Sequence, residues 1–183
     1  VSVFRLLKGV LALVFCIAFV IAGLVWYVQP ETHLDLSYSG VEWPDKVKQM
    51  ISSRKLRIEL NEEDLDQFVK KAIAQRQDVP GGLRITGART YLQGSEMIVD
   101  ITGMYQNLWQ VGGKLYFTLT WDEPVLTATH TRTTIKQASI PNDWFQLEPI
   151  EVNLSEMVPK PLGVRSVSFD GSTLTVSLRF VRR

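Results

Sequence analysis

The sequence predicts an α+β fold: an N-terminal transmembrane helix followed by a curved, largely antiparallel sheet packed on one long amphipathic helix. Three observations lead there. Residues 9–28 (GVLALVFCIAFVIAGLVWYV) contain no charge, proline or amide. Residues 61–76 carry the clearest helical periodicity outside that stretch. From residue 83 onward the chain alternates apolar and polar residues between hairpin turns, the pattern of half-buried strands.

The apolar stretch comes first. Twenty residues at about 1.5 Å rise cross a hydrocarbon core of roughly 30 Å, and in lipid such a segment satisfies its own backbone only as a helix. Arg5 and Lys8 precede it, while Glu31 and Asp35 follow. The positive-inside rule therefore places residues 1–8 in the cytoplasm and residues from about 29 onward outside the cell membrane. Trp26 and Tyr27 suit the outer interface. A cleaved signal peptide is the rival reading, since Val20-Ile21-Ala22 would tolerate cleavage. Residues 23–28 continue apolar, however, so an uncleaved single-pass anchor is expected. Val1 in place of Met fits a truncated chain or a GTG start codon, the latter bacterial. Cys16 lies mid-span without the small neighbours that lipidation needs.

Residues 29–54 read as a juxtamembrane stalk with a short helix over 45–53, and residues 55–183 as one extracytoplasmic domain. With 20 basic and 19 acidic residues, the chain has no field for nucleic acid. KLRIEL (55–60) alternates as a strand. Asn61 is a favoured N-cap, and Glu62, Glu63 and Asp64 place negative charge at the positive end of the helix dipole. Leu65, Phe68, Val69, Ala72 and Ile73 form the apolar stripe. Pro80-Gly81-Gly82 is expected to end that helix. Strands follow over 83–92 and 97–106, then 114–121 after a Gly112-Gly113 turn, then 125–135. Residues 141–149 break the pattern, with Asn142 as a candidate cap. Residues 153–157 read as a second helical turn. Asp170-Gly171 joins the last two strands, 164–169 and 173–180, as a hairpin.

The text KLRIELNEEDLDQFVKKAI, then LRITGARTYLQGSEMIVDITG and KLYFTLTWDEPVLTATHTRTTI, resembles the YpmS-like single-pass membrane proteins of Gram-positive bacteria, a family of unknown function. The layout also resembles half of a tubular lipid-binding (BPI-like) domain, where the space between helix and sheet can hold an acyl chain. That resemblance implies a lipid ligand by analogy of fold alone. It supplies no catalytic residues.

Catalytic constellations are scarce. His33 lies in the stalk, and alternation puts His130 on the solvated face of Arg132 and Thr134. No metal-ligand spacing, phosphate loop or nucleophile elbow is present, so no enzyme activity, metal or cofactor is expected. Glu62, Glu63, Asp64 and Asp66 are explained by the helix start. Asn153-Leu154-Ser155 matches a short glycosylation sequon. The candidate ligand-binding surface is an apolar groove lined by Leu65, Phe68, Val69 and Ile73 of the helix and by Leu115, Phe117, Leu119 and Trp121 of the sheet; ordinary core is the competing reading. Trp109, Trp144 and Phe145 are candidates for membrane or partner contact, or for plugging an open end of the sheet. Arg84, Arg89, Lys114, Arg132 and Lys136 read as scattered surface charge or a patch for anionic headgroups. The expected function is a non-enzymatic, membrane-anchored extracytoplasmic domain that binds a lipid or lipid-linked envelope precursor. The alternative is a protein–protein interaction module of the bacterial envelope, with the threonine-rich strand 125–135 as its open edge.

Overall fold

The computed structural model describes residues 2–39, 46, 50, 56–75, 77–79 and 81–181. Helix α1 (Ser2–Val28) has 27 residues, about 40 Å of helix, and contains the expected 9–28 segment. Its side chains are described from Leu13 onward, and among the described residues no helix is long and apolar enough to cross a membrane. The short helix expected over 45–53 falls outside the described residues, apart from Lys46 and Met50.

The domain is α+β, with a curled antiparallel sheet and few helices. Strand β1 (Arg57–Leu60) leads into helix α2 (Glu62–Gln75). Then come β2 (Asp78–Val79), β3 (Leu83–Gln93), β4 (Glu96–Tyr105), β5 (Trp109–Asp122), β6 (Val125–Ile135), β7 (Ala138–Ile140) and β8 (Ile150–Asn153). Helix α3 (Leu154–Met157), β9 (Leu162–Asp170) and β10 (Thr173–Phe180) close the chain. Strands β2 to β7 form one sheet in sequence order, with β8 also paired to β6; β1, β10 and β9 form a second. The Asp170-Gly171 hairpin forms as its sequence predicts, with Gly171 at φ 56°. Asn153 caps α3 by accepting the Ser155 N–H.

Several expectations need correction. Helix α2 stops at Gln75, and β2 intervenes before the glycine pair. Gly112-Gly113 lies inside β5, which begins at Trp109; the turn is made by Gln106 and Asn107, both at positive φ. Strand β6 is not an open edge. Thr133–Ile135 pairs with β7, Val125–Ala128 pairs with β8, and the Asn142 amide donates to the Thr131 carbonyl between them. Asn142 therefore closes a sheet edge instead of capping a helix.

The exposed edge of β3 is closed in a different way. Alternate backbone amides along it each find their own acceptor. Ile85 donates to the Gln77 carbonyl, Ala88 to the Asp35 carbonyl, and Gly94 to the Gly171 carbonyl. Thr90 N–H donates to Asp66 Oδ1 at 2.7 Å, and Leu92 N–H to Glu62 Oε1 at 3.1 Å. The acidic start of α2 thus does more than match the helix dipole, because two of its carboxylates satisfy a strand edge that would otherwise invite pairing. Asn61 and Asp64 make the reciprocal capping contacts, each side chain accepting the other's backbone N–H. With its acidic side on the β3 edge, α2 turns Leu65, Phe68, Val69 and Ile73 inward, while Ala72 is left exposed. The core they join draws on both sheets: Leu92, Val99, Leu115, Phe117 and Leu119 from one, and Ile58, Leu60, Val164, Leu174, Val176 and Leu178 from the other.

Candidate functional site

The segment after α1 is docked on the sheet. Gly87, Thr102 and Gly112 stand side by side on β3, β4 and β5. By alternation this row lies on the face opposite Ala88, Ile101 and Leu115, that is, outside the core. The chain from Pro30 to Leu34 crosses it. A Cβ on Gly112 would lie 2.8 Å from Pro30 Cα, and one on Gly87 would overlap the Leu34 carbonyl oxygen. Thr102 lies between the two glycines and is only 3% exposed. Two mid-strand glycines therefore form a trough for backbone, a use that a glycine inside a strand pattern signals. Asp35 then reaches the β3 edge, and Lys70 of α2 holds both it (3.8 Å) and Asp66 (2.9 Å). Leu36 packs against the core, and Ser39 N–H donates to Gln67.

This docking defines one end of the domain. Lys136, in the β6–β7 turn, lies over the rings of Trp26 (5.6 Å) and Tyr27 (5.4 Å) at the end of α1. The β4–β5 hairpin tip, with exposed Tyr105, Leu108 and Trp109, precedes Gly112 by a few residues and so belongs to the same end. Leu108 is 72% exposed. The other loop aromatics separate. Phe145 is half-buried and meets the His130 ring edge-on at 5.9 Å, so it plugs the sheet. Trp144 points outward, 80% exposed.

The apolar surface also divides. Leu115, Phe117 and Leu119 are buried in the core shared by both sheets, whereas Leu65, Phe68, Val69, Ile73 and Trp121 are partly buried around it. The structure brings all eight residues of the expected groove into one cluster. The three inner ones are covered by the chain's own side chains.

His130 is not a solvated strand residue. It is 2% exposed, beside Phe117 at 5.5 Å. The cause is a register shift in which Tyr116 pairs with Arg132 but Phe117 pairs with His130, leaving Thr131 as the extra residue of a bulge. The inward face of β6 therefore changes from Ala128 and His130 to Thr133, and Arg132 swings out over the Tyr116 ring. Leu147 N–H donates to His130 Nδ1 at 3.3 Å, so Nε2 carries the proton and donates to Thr133 Oγ1 at 2.9 Å. Nδ1 thus ties down the 141–149 segment, while Nε2 bonds within β6 itself. Burial pushes the imidazole below its ordinary value, against a smaller opposing effect from a backbone hydrogen bond with Arg132.

A histidine whose folded pKa is depressed leaves the unfolded chain binding more protons. Its stabilising contribution is complete above the ordinary histidine value of about 6.5 and is lost as the pH falls below it. Thermal midpoints should fall between pH 7 and pH 5, and His130→Asn should flatten that slope; equal slopes in the two proteins would exclude the assignment.

Several of the described basic residues are engaged. Arg84 pairs with Asp78, Lys114 with Asp100, Lys46 with Asp64 and Arg179 with Glu123. Among the described residues no group of three His, Cys, Asp or Glu side chains could hold a metal ion. Compared with known proteins, the chain matches no family model, no curated protein and no solved structure. Its own geometry therefore carries the functional reading.

Proposed function

We propose that this chain is a non-enzymatic, single-pass membrane protein whose extracytoplasmic domain binds lipid, or a lipid-linked envelope precursor, at the surface of its own membrane. One observation carries the proposal. The apolar helix runs without a free linker into a segment seated across Gly87, Thr102 and Gly112. An anchor joined in this way orients the domain as well as tethering it. The end that faces the bilayer then presents Leu108, Trp109 and Tyr105, with Lys136 beside Trp26 and Tyr27. Apolar and aromatic groups at the headgroup level, next to a cation, suit an anionic membrane surface. Arg5 and Lys8 before the charge-free stretch support a cytoplasmic N-terminus. The resemblance of the sequence layout to the YpmS-like single-pass membrane proteins supports the anchor. The lipid contact is assigned to this end in preference to the helix–sheet seam, because Leu115, Phe117 and Leu119 are buried in the core that both sheets share.

A photo-crosslinking residue at position 108 tests this in proteoliposomes of the full chain. The same residue at Ser95 is the control. Ser95 lies in the β3–β4 turn, at the opposite end of β4 and roughly 30 Å away. Lipid adducts at 108 and none at 95 are expected. Equal labelling, or none, would overturn the orientation. The exposed Trp144 favours the second reading, a docking face for another envelope protein. Protein adducts from position 144 together with no lipid adducts from 108 would select it.

A further inference from the structure

We propose that the outer face of the three-stranded sheet carries a phosphate-binding site made by Arg57, Arg165, Ser166 and Ser177. These residues, with Leu56 and Leu178, line a pocket of about 460 Å³. The register explains how they meet. Arg57 on β1 is directly opposite Ser177 on β10, and Ser177 is opposite Ser166 on β9. The next pair joins Leu178 to Val164, so Arg165 is the extra residue of a bulge. Regular alternation would send Arg165 to the face opposite Ser166. The bulge leaves both exposed in succession and turns Arg165 toward the pocket. Two strand spacings, about 10 Å, then separate the backbones of Arg57 and Arg165, with the two serine hydroxyls between them.

The charge at this place is uncompensated. Among the described residues neither Arg57 nor Arg165 has an ion-pair partner, and none of the six lining residues is acidic. Arg179, further along β10, is already held by Glu123. Glu59 stands one row away, opposite Thr175. Two planar guanidinium forks with hydroxyl donors between them fit the oxygens of a phosphate group. The shared chemistry is a phosphate ester, either on a lipid headgroup or on a small soluble compound.

This inference does not depend on the membrane reading, and the experiment keeps the two apart. The full chain in detergent micelles is titrated with inorganic phosphate and glycerol 3-phosphate by calorimetry. In parallel, its retention on vesicles of phosphatidylcholine, with and without phosphatidic acid, is measured. R57Q/R165Q should weaken binding about tenfold or more, as loss of charge-assisted hydrogen bonds does, while R89Q leaves it unchanged. Circular dichroism should show both variants folded, since all three arginines are exposed. Arginine-dependent binding of the soluble phosphates identifies a small ligand. Arginine dependence confined to phosphatidic acid vesicles identifies a headgroup. No binding by the wild type in either arm, or equal binding by R57Q/R165Q, would overturn the site. Lipid crosslinking from the hairpin tip is a separate readout, and its failure would leave the phosphate titration standing.

Discussion

Gly87→Val is expected to force the juxtamembrane segment off the sheet. Its side chain would need the space held by the Leu34 backbone, and Thr102 blocks the other side, 2.5 Å from the new Cβ. Neither obstacle is the movable end of a flexible side chain. Overpacking a closed site usually costs about 1–3 kcal/mol. Here the backbone must separate, so the Ala88–Asp35 hydrogen bond and the cover over Thr102 are lost as well. A total near 3 kcal/mol, at the upper end of that range, is expected. Limited proteolysis should then cut within residues 29–39, and amide exchange at Ala88 should accelerate. The milder Gly112→Ala, which meets Pro30, should show the same signs less strongly. If Gly87→Val melts and digests like the wild type, the segment is not seated in the trough.

Phe117→Ala should be the most destabilising single truncation in the domain, by about 3–5 kcal/mol. The ring is 3% exposed and lies where the two sheets and His130 meet, so its loss leaves a cavity that neighbours on separate elements cannot easily collapse into. Chemical denaturation measures the loss. Lipid crosslinking from position 108 should persist in the folded fraction, because the hairpin tip is remote from the core. A variant that kept its stability but shed bound lipid would return the helix–sheet groove to first place as the ligand site.

Much of the fold was legible because its elements follow local rules. Ile58 and Leu60 alternate with Arg57 and Glu59, Asn61 precedes an acidic turn, and Asp170-Gly171 sits between two alternating runs. The helical turn at residues 153–157 is local in the same way. What was not legible depends on parts of the chain distant in sequence. Gly112-Gly113 reads as a turn until the stalk is laid across it, and Gly87 takes its meaning from the same segment. The face of His130 depended on the bulge at Thr131. The apolar residues of β6 do hint at that bulge, since Leu126 and Ala128 occupy even positions and Ile135 an odd one. Glu62 and Asp66 read as helix-start charge, because the strand edge they serve begins some twenty residues later. Arg165 belonged to the pocket only once β9 was seen to bulge against β10.

The second sheet has a consequence for the order of folding. Strand β1 is among the first parts of the domain to leave the ribosome, and its partner β10 is the last. The β3 edge is complete only when Gly171 arrives to accept from Gly94. Contacts between chain ends carry the largest loop-closure penalty and form late. Until the final hairpin docks, β1 and part of the β3 edge stay unpaired, the condition in which nascent chains associate with one another. On the proposed topology, the anchor would already be in the membrane during that interval. Confinement to a surface would crowd unfinished copies together, and the carboxylates of Glu62 and Asp66, being local to α2, would cover the Thr90 and Leu92 amides of the edge before the last strand is made.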